Sequence, residues 1–190
     1  MMLLKIADLP KVRLCKILTV DKIQRKSTPL DSFPKTHQEV SNGPSPELSH
    51  SLLETMWKMV RACLRDDGIG LAAPQIGVFK QMFIIREDAD HFRVYLHPRY
   101  SIDASSKQET QVEGCLSVPG KRVPVSRATV ILAEWLEFNS EGKLVARTEL
   151  LEGLKARVFQ HEYDHFSCLS ILDRYEQQRK ARTTPSGHPK

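Results

Sequence analysis

The first clear pattern along the chain is a run of apolar positions at helical spacing between residues 48 and 64. The residues in this run are Leu48, Leu52, Met56, Val60, Cys63 and Leu64. Residues three or four positions apart share one face of a helix, so the pattern predicts an amphipathic helix. Ser45 before Pro46 is a typical N-cap and first helical residue, and Gly68 is a typical helix end. Residues 31–47, which contain several prolines and an Asn-Gly-Pro sequence, are predicted to form a surface loop.

A different pattern follows between residues 81 and 150, where short apolar or alternating stretches predict strands. The predicted strands are residues 81–86, 93–96, 122–124, 129–135 and 143–150. An Asn-Ser-Glu-Gly sequence at residues 139–142 is a typical turn between the last two strands. A second helical pattern then closes this part of the chain. A long helix, several short strands and a closing helix favour an α+β fold, in which short antiparallel or mixed sheets wrap the second helix.

The second helical pattern carries the residues best suited to chemistry. Leu154, Val158, His161 and His165 fall at helical spacing, so the two histidines extend an apolar stripe. Side chains four positions apart on a helix lie about 5–6 Å from each other, so both imidazoles can reach one metal ion. Glu162 lies in the adjacent sector and completes an HExxH sequence, which supplies two ligands and a carboxylate beside a metal-bound water. The alternative is a pair of core histidines, and the pattern alone leaves the third ligand and the substrate open.

Length and composition are those of an ordinary globular protein. The 190 residues suffice for one domain with its own core, and no apolar stretch approaches the roughly 18 residues of a membrane span. The net charge of +5 is explained by a solvated basic surface and predicts no specific nucleic-acid partner. The four cysteines lack the spacing of a disulfide framework, which favours a reducing compartment. The polar residues from about 177 to 190 are predicted to be a disordered tail.

Two further sequence blocks precede the HExxH helix in a fixed order. Residues 68–75 read GIGLAAPQ, residues 113–117 read EGCLS, and residues 160–165 read QHEYDH. These blocks match the three signature motifs GxGxAAxQ, EGCLS and QHExDH of the peptide deformylases at every defining position. The chain therefore resembles this family from about residue 17 to residue 174, and the domain spanning residues 1–190 is expected to be deformylase-like.

The resemblance implies a metal centre built by Cys115, His161 and His165, with water as the fourth ligand. Three protein ligands and one open position are typical of a catalytic metal, because a closed site cannot admit substrate. The physiological ion of the family is Fe²⁺, and Zn²⁺, Ni²⁺ or Co²⁺ can substitute for it. The residue types alone allow zinc equally well.

The resemblance also implies the residues that act on the substrate. Glu162 is expected to be the general base, which takes a proton from water and later gives it to the departing amine. The Gln75 amide and the backbone N–H of Leu116 are expected to bind the oxyanion, where losing one donor costs about 10²–10³ in rate. The expected substrate-binding residues are Gly68, Ile69, Gly70, Glu113, Gly114, Arg122 and Val158. The glycines are expected to let the substrate backbone approach closely, and Asp164 is expected to hold the metal helix through Arg127.

Three positions depart from the usual family pattern. His97 precedes Pro98 where Asn is common, and Phe166 and Cys168 replace a common Leu and Gly after the third motif. The sequence also shows no long ordered helix after the metal helix. No catalytic group is lost, but the departures leave substrate preference and transient ribosome association open.

The predicted function is metal-dependent removal of the N-formyl group from the N-terminal methionine of newly synthesised polypeptides, with release of formate. One alternative is an HExxH endopeptidase, although no third His or Glu ligand is obvious after His165. The other is an inactive binding module with the same fold. The basic N-terminus and the long early loop favour a mitochondrion or another organelle over the bacterial cytoplasm. No membrane association is expected, and the oligomeric state is left open.

Overall fold

The predicted first helix is present, but it begins later than expected. The computed structural model of the protein describes residues 3–10, 15–23, 26–30 and 48–183. Helix α1 (His50–Arg65) has Ser49 as its N-cap, whose hydroxyl accepts a hydrogen bond from the backbone N–H of Leu52 at 3.2 Å. The prediction of Ser45 as N-cap is therefore wrong, because a second capping serine lies four residues further on. Ser45 itself and the predicted loop at residues 31–47 lie outside the described residues.

The end of α1 leads directly into the first signature motif. The buried face of the helix consists of Leu52, Met56, Trp57, Met59, Val60, Ala62 and Cys63. The backbone N–H of Gly68 donates to the carbonyl of Cys63 at 2.8 Å, as the sequence led us to expect for a helix end. The left-handed conformation at this end is taken by Asp67, with φ of 51°, and not by the glycine.

Antiparallel strands form one large sheet and one separate ribbon. The strands are β1 (Leu3–Lys5), β2 (Gly70–Ala72), β3 (Met82–Arg86), β4 (His91–Ile102), β5 (Gln108–Cys115), β6 (Val118–Ala128), β7 (Val130–Phe138) and β8 (Leu144–Glu152). The large sheet has the order β2-β3-β4-β7-β8, with β1 also pairing to β4, whereas β5 and β6 form a separate two-stranded ribbon among the described strands. All the predicted strands are present. The sequence missed β1, β2 and β5, and β5 was missed because it is mostly exposed and lacks an apolar alternation.

The large sheet is covered on both faces, and the two faces contribute to different hydrophobic cores. On β3, Met82 and Ile84 belong to the core that contains α1, while Phe83 and Ile85 belong to a second core. Successive residues of a strand point to opposite faces, so this strand has no solvent face. The second core includes Phe159 of the closing helix α2 (Gly153–Asp164), which contacts Phe83 and Tyr95 edge to face.

Helix α2 lies between the large sheet and the β5–β6 ribbon. One face reaches the sheet through the second core, and on the other side Gln160 bonds both backbone polar groups of Ala128 at 3.2 and 2.8 Å. Side-chain hydrogen bonds of this kind fix the rotation of the helix about its axis. The α+β prediction is confirmed. Helix α2 contains His161 and Glu162 and ends at Asp164, one residue before His165.

A further helix follows α2, contrary to the prediction that no long ordered helix does so. Helix α3 (Ile171–Thr183) includes residues 177–183 of the predicted disordered tail, and residues 184–190 lie outside the described part of the chain. Only Ile171 is buried, so the helix lacks the apolar stripe that would predict it. It is held by polar contacts instead: Gln178 bonds the backbone N–H and carbonyl of Ser126 at 2.9 and 2.7 Å. No described helix is both long and apolar enough to cross a membrane.

Candidate metal and catalytic site

Three potential metal ligands come together where the end of β5 meets α2. Cys115 is the last residue of β5, at a register shift in its pairing with β6, and His161 lies on α2. His165 follows directly after α2. The ligand atoms of these residues all lie within 4.8 Å of one another, and the Cys115 sulfur is 3.5 Å from His165 Nε2. A thiolate and two imidazoles at this separation suit a divalent transition metal and leave a coordination position open.

The two histidines are held differently by their surroundings. His161 Nδ1 lies 3.0 Å from a carboxylate oxygen of Glu113, which leaves Nε2 as its ligand atom. Although burial opposes the proton, the Cys115 sulfur and the Glu113 carboxylate raise the pKa of His161 to about 10. Burial and the nearby positive charge of His161 lower the pKa of His165 well below its ordinary value. A metal ion must displace the proton of His161, so metal binding should release protons.

Glu113 is the centre of a buried network of charges behind His161. Arg127 contacts both its carboxylate oxygens at 2.7 and 3.0 Å, and Arg157 of α2 contacts one of them at 2.6 Å. Burial alone would raise the pKa of Glu113, but the hydrogen bonds with His161 and Arg127 outweigh it and lower the pKa to about 2. Glu113 therefore stays ionised and orients the histidine.

The same network fixes the end of the metal helix. Arg127 also donates to Asp164 at 3.0 Å, which is the contact the sequence led us to expect. Arg174 of α3 pairs with the same carboxylate, with Nε 2.8 Å from Oδ2. Asp164 thus joins α2 to both the ribbon and the C-terminal helix, so three elements determine where His165 lies.

Glu162 is a buried carboxylate with unused bonding capacity. Its side chain is only 4% exposed, and among the described residues its Oε2 has no hydrogen-bond partner. Burial is the largest influence and raises the pKa of Glu162 to about 7. A buried oxygen without a partner is costly, so its presence is typical of a site that receives a ligand or a proton.

Gln75 is oriented by its neighbours so that its amide nitrogen faces Cys115. Its Oε1 accepts from the backbone N–H of Ala72 at 2.7 Å, and its Nε2 donates to Ser117 at 3.1 Å. The same Nε2 is 3.9 Å from the Cys115 sulfur. The backbone N–H of Leu116 donates to no acceptor among the described residues. The site therefore has two N–H groups near Cys115, namely the Gln75 amide and the backbone N–H of Leu116, the next residue along the chain.

A large cavity opens in front of these groups. Its volume is about 1120 Å³, and both Gln75 and Glu162 contribute to its wall. The predicted substrate-binding residues all line it, namely Gly68, Ile69, Gly70, Glu113, Gly114, Arg122 and Val158. The cavity is larger than one methionine side chain needs, so it can also receive the residues that follow in a peptide.

The two glycines of the first motif are required by the protein's own packing. A Cβ at Gly70 would lie 2.5 Å from Glu162 Oε1, and one at Gly68 would lie 2.8 Å from the Cys63 sulfur. The expected reason, close approach of a substrate backbone, is therefore not the only one. A Cβ at Gly114 would meet Arg122 Cγ at 3.9 Å, an ordinary van der Waals contact, so packing within the protein does not require this glycine.

Comparison with known proteins places the chain in a family. The family model described as polypeptide deformylase matches residues 20–181. The chain belongs to the polypeptide deformylase family. Peptide deformylase 1 of Clostridium perfringens is 35% identical over 127 residues, which cover 66% of this chain and 78% of the relative. The enzyme of Desulforudis audaxviator is 40% identical over 116 residues, or 61% and 72% of the two chains.

Solved structures of deformylases show the same fold. The Thermotoga maritima crystal structure superposes with a TM-score of 0.67 at 28% identity, covering 85% of this chain and 97% of that one. The Acinetobacter baumannii class I type b enzyme, with K2U bound, gives a TM-score of 0.68 at 26% identity, covering 86% and 100%. The activity of this deformylase is therefore removal of the formyl group from N-terminal methionine of newly made polypeptides, and neither alternative function is favoured.

Sequence reasoning missed one residue of the deformylase site, Arg157. It was not recognised because an arginine four residues before a metal-ligating histidine would ordinarily be solvent-exposed. The structure buries it, and besides Glu113 it donates to the carbonyls of Val125 and Glu109 at 3.0 and 2.6 Å. The signal available in the sequence was its i, i+4 relation to His161, which places both side chains on one helix face.

The positions that depart from the family pattern belong neither to the clustered ligands nor to the residues that line the cavity. His97 has a positive φ of 46°, and its Nε2 accepts from the backbone N–H of Leu30 at 2.6 Å. Phe166 is buried and stacks on Phe83 with 5.8 Å between ring centroids. Cys168 has a φ of 60°, the left-handed conformation that explains a glycine at this position.

Proposed function

We propose that this deformylase binds one divalent ion through Cys115, His161 and His165 and uses Glu162 as its general base. The observation that carries the proposal is the buried Glu162 oxygen without a described partner, on the same helix as the ligand His161 and three residues before the ligand His165. When bound, the ion supplies Lewis-acid polarisation of the formyl carbonyl and acidifies a coordinated water. The protein supplies the proton acceptor, the oxyanion donors and the substrate cavity.

Glu162 has the properties that proton transfer requires. Burial raises its pKa to about 7, so its carboxylate can take a proton from water and return it to the amine at neutral pH. Val158 and Gly70 lie against it, and a Cβ at residue 70 would displace it. The carboxylate is thus confined to one position.

Gln75 and Leu116 are proposed as the oxyanion donors. Because Ala72 holds the oxygen of the Gln75 amide, the nitrogen is directed towards Ser117 and Cys115. The Leu116 backbone N–H follows the cysteine ligand directly and has no acceptor in the described structure. Donors fixed in this way before reaction stabilise developing negative charge at little reorganisation cost.

The substrate is proposed to be the formyl-methionyl end of a nascent chain. Ile69, Leu116 and Val158 line the cavity and suit the methionine side chain, while Arg122 is exposed and can reach the peptide backbone. A related Acinetobacter baumannii deformylase has been crystallised with Met-Ala-Ser, the corresponding unformylated peptide. We propose that the peptide binds to this chain with its N-terminus at the metal ligands.

Fe²⁺ is the proposed native ion, with Zn²⁺, Ni²⁺ or Co²⁺ as substitutes. The thiolate and two imidazoles suit all four ions. The donor set therefore supports a divalent transition-metal ion, and the family resemblance supports iron among these ions. A single domain and transient ribosome association are likewise proposed. The relatives described above are bacterial, so the organelle location stays a prediction from the sequence.

The proposed base can be tested with Glu162→Gln, which keeps the side-chain shape and removes the acid–base group. We expect formate release from a formyl-Met peptide to fall at least about 10²-fold while metal content is unchanged. Glu152→Gln, a change at an exposed carboxylate at the start of the same helix, is the matched control and should retain full activity. Near-normal turnover in Glu162→Gln would exclude Glu162 as the proton carrier.

A further inference from the structure

In the described part of the chain, the outer edge of β8 is an open strand edge. β8 pairs with β7 along all nine residues without a register shift. On its other side, no strand or backbone group of the described chain pairs with residues 145–152. An open edge presents unpaired N–H and C=O groups in the spacing that another strand can recognise.

The devices that usually protect such an edge are missing from β8. The strand reads LVARTELLE, with no proline, glycine or bulge. Its central residues Arg147, Thr148, Glu149 and Leu150 are all exposed. Natural edge strands are normally short, bent, covered or charged, and in the described chain β8 has none of the first three protections. At its centre, β8 carries one positive charge on Arg147 and one negative charge on Glu149. These charges attract a second strand whose charges follow in the opposite order.

We propose that two copies of the chain pair antiparallel through β8, with a two-fold axis at Thr148. Two residues that lie opposite each other across the new pair must point to the same face of the continuous sheet. Because side chains alternate between the two faces along a strand, the two-fold axis must pass through a residue and not between two residues. An axis at residue 147 or 149 would oppose two arginines or two glutamates. An axis at Thr148 places Arg147 of each copy opposite Glu149 of the other copy. It also pairs the strand over its full length.

The two charged side chains are already held in place on this edge. Arg147 donates through Nε to the buried Glu137 at 2.8 Å, which leaves its terminal nitrogens available. Glu149 accepts from Arg93 at 3.0 Å through one oxygen, and its side chain is 46% exposed. Side chains that are ordered before association lose less entropy when the second copy binds.

Apolar side chains on the other face add to this complementarity. Leu150 is 47% exposed and lies opposite Leu132 of β7, which is 38% exposed. In the proposed pairing, Leu150 faces Ala146 of the second copy, so each copy places a leucine beside a small apolar residue. The dimer covers the Leu150 side chain of each copy. This removes apolar area from water and favours the same register.

The pairing is tested by measuring the molecular mass of the protein in solution as its concentration is raised. The metal-loaded full chain should move from 21.7 kDa towards twice that mass between about 1 μM and 1 mM, since strand-edge interfaces are small and weak. Thr148→Asp and Thr148→Lys each place like charges at the axis, so each alone should dimerise at least about tenfold more weakly. An equimolar mixture of the two variants should form the heterodimer. Both should keep wild-type formate release, because Thr148 is exposed and belongs neither to the clustered ligands nor to the cavity wall.

A cysteine at the axis tests the register itself. Opposite residues of an antiparallel pair have Cα atoms about 4.5–5.5 Å apart, which a disulfide can span. Thr148→Cys should give a covalent dimer under mild oxidation, above the wild-type background from the native thiols. Leu150→Cys is the control, because the two copies of residue 150 would lie about 13 Å apart along the strands.

The outcomes separate the proposal from its alternatives. A wild-type chain that stays monomeric up to about 1 mM contradicts it, as does a dimer that survives Thr148→Asp. Crosslinking through residue 150 but not through residue 148 would refute the register. Heterodimer formation by the mixed charge variants, together with crosslinking at residue 148 alone, supports it.

Discussion

Replacing Glu113 with glutamine should destabilise the protein by about 3 kcal/mol at neutral pH. The carboxylate has an ordinary pKa of 4.5 and a pKa of about 2 in the folded chain, as a result of its bonds with His161 and Arg127. At 1.36 kcal/mol per pH unit, this difference corresponds to about 3 kcal/mol. The same magnitude is expected from breaking a buried ion-pair network, because Arg127 and Arg157 would both lose their pairing with Glu113 and, in the described structure, only Arg127 would keep another, with Asp164.

The sign of the pH dependence follows from the direction of the shift. Because the folded state lowers the pKa, the stabilisation is fully present above pH 4.5 and is lost as pH falls towards 2. The stability difference between wild type and Glu113→Gln should therefore shrink over this range. Urea unfolding followed by circular dichroism measures it, with a chelator present so that metal binding does not contribute.

Glu109→Gln is the matched control for this measurement. Glu109 lies on the same strand with an exposed side chain, and only its carbonyl takes part in the network. We expect its unfolding free energy to stay within about 0.5 kcal/mol of wild type. If Glu113→Gln were equally mild at pH 7, or if its effect grew on acidification, the stabilising role assigned to this carboxylate would be refuted.

Three further changes test other parts of the structure. Gly70→Ala should lower kcat at least about 10²-fold in a formate assay while the fold persists, because the new Cβ displaces the proposed base. Gln178→Leu removes both bonds to the Ser126 backbone and should cost about 2 kcal/mol in urea unfolding. Cys115→Ala should abolish metal retention measured by elemental analysis, whereas Cys168→Ala should retain the ion. Iron-loaded wild type should lose activity in air, and mass spectrometry should find the added oxygen on Cys115.

The parts of the fold that sequence predicted are those whose burial is apolar and periodic. Helix α1 was recognised because seven of its residues face a core. Helix α3 was not, because Gln178 and Arg174 hold it through hydrogen bonds and ion pairs that depend on distant partners. The start of α1 was misplaced because Ser45 and Ser49 are equally good caps on local evidence.

The site could be predicted as a set of residues but not as a network. Cys115, His161 and His165 were identified from motif spacing, and the structure brings their ligand atoms together. The contacts of Arg157 with strand carbonyls depend on tertiary structure, so no local pattern could reveal them. The roles of the site residues in catalysis stay predictions that the variants above can test.

The burial of β3 on both faces has a consequence for how its alignment is specified. In most strands, a slip by one residue would expose apolar side chains and bury polar ones, and hydrophobicity alone forbids it. Met82, Phe83, Ile84 and Ile85 are all apolar, so a slip here would merely exchange which core each one enters. Within these four positions shape opposes it: the ring of Phe83 has a place among Tyr95, Phe159 and Phe166, and the opposite core offers none of these aromatic rings. At this strand, complementarity of volume takes over the role that polarity plays elsewhere in the sheet.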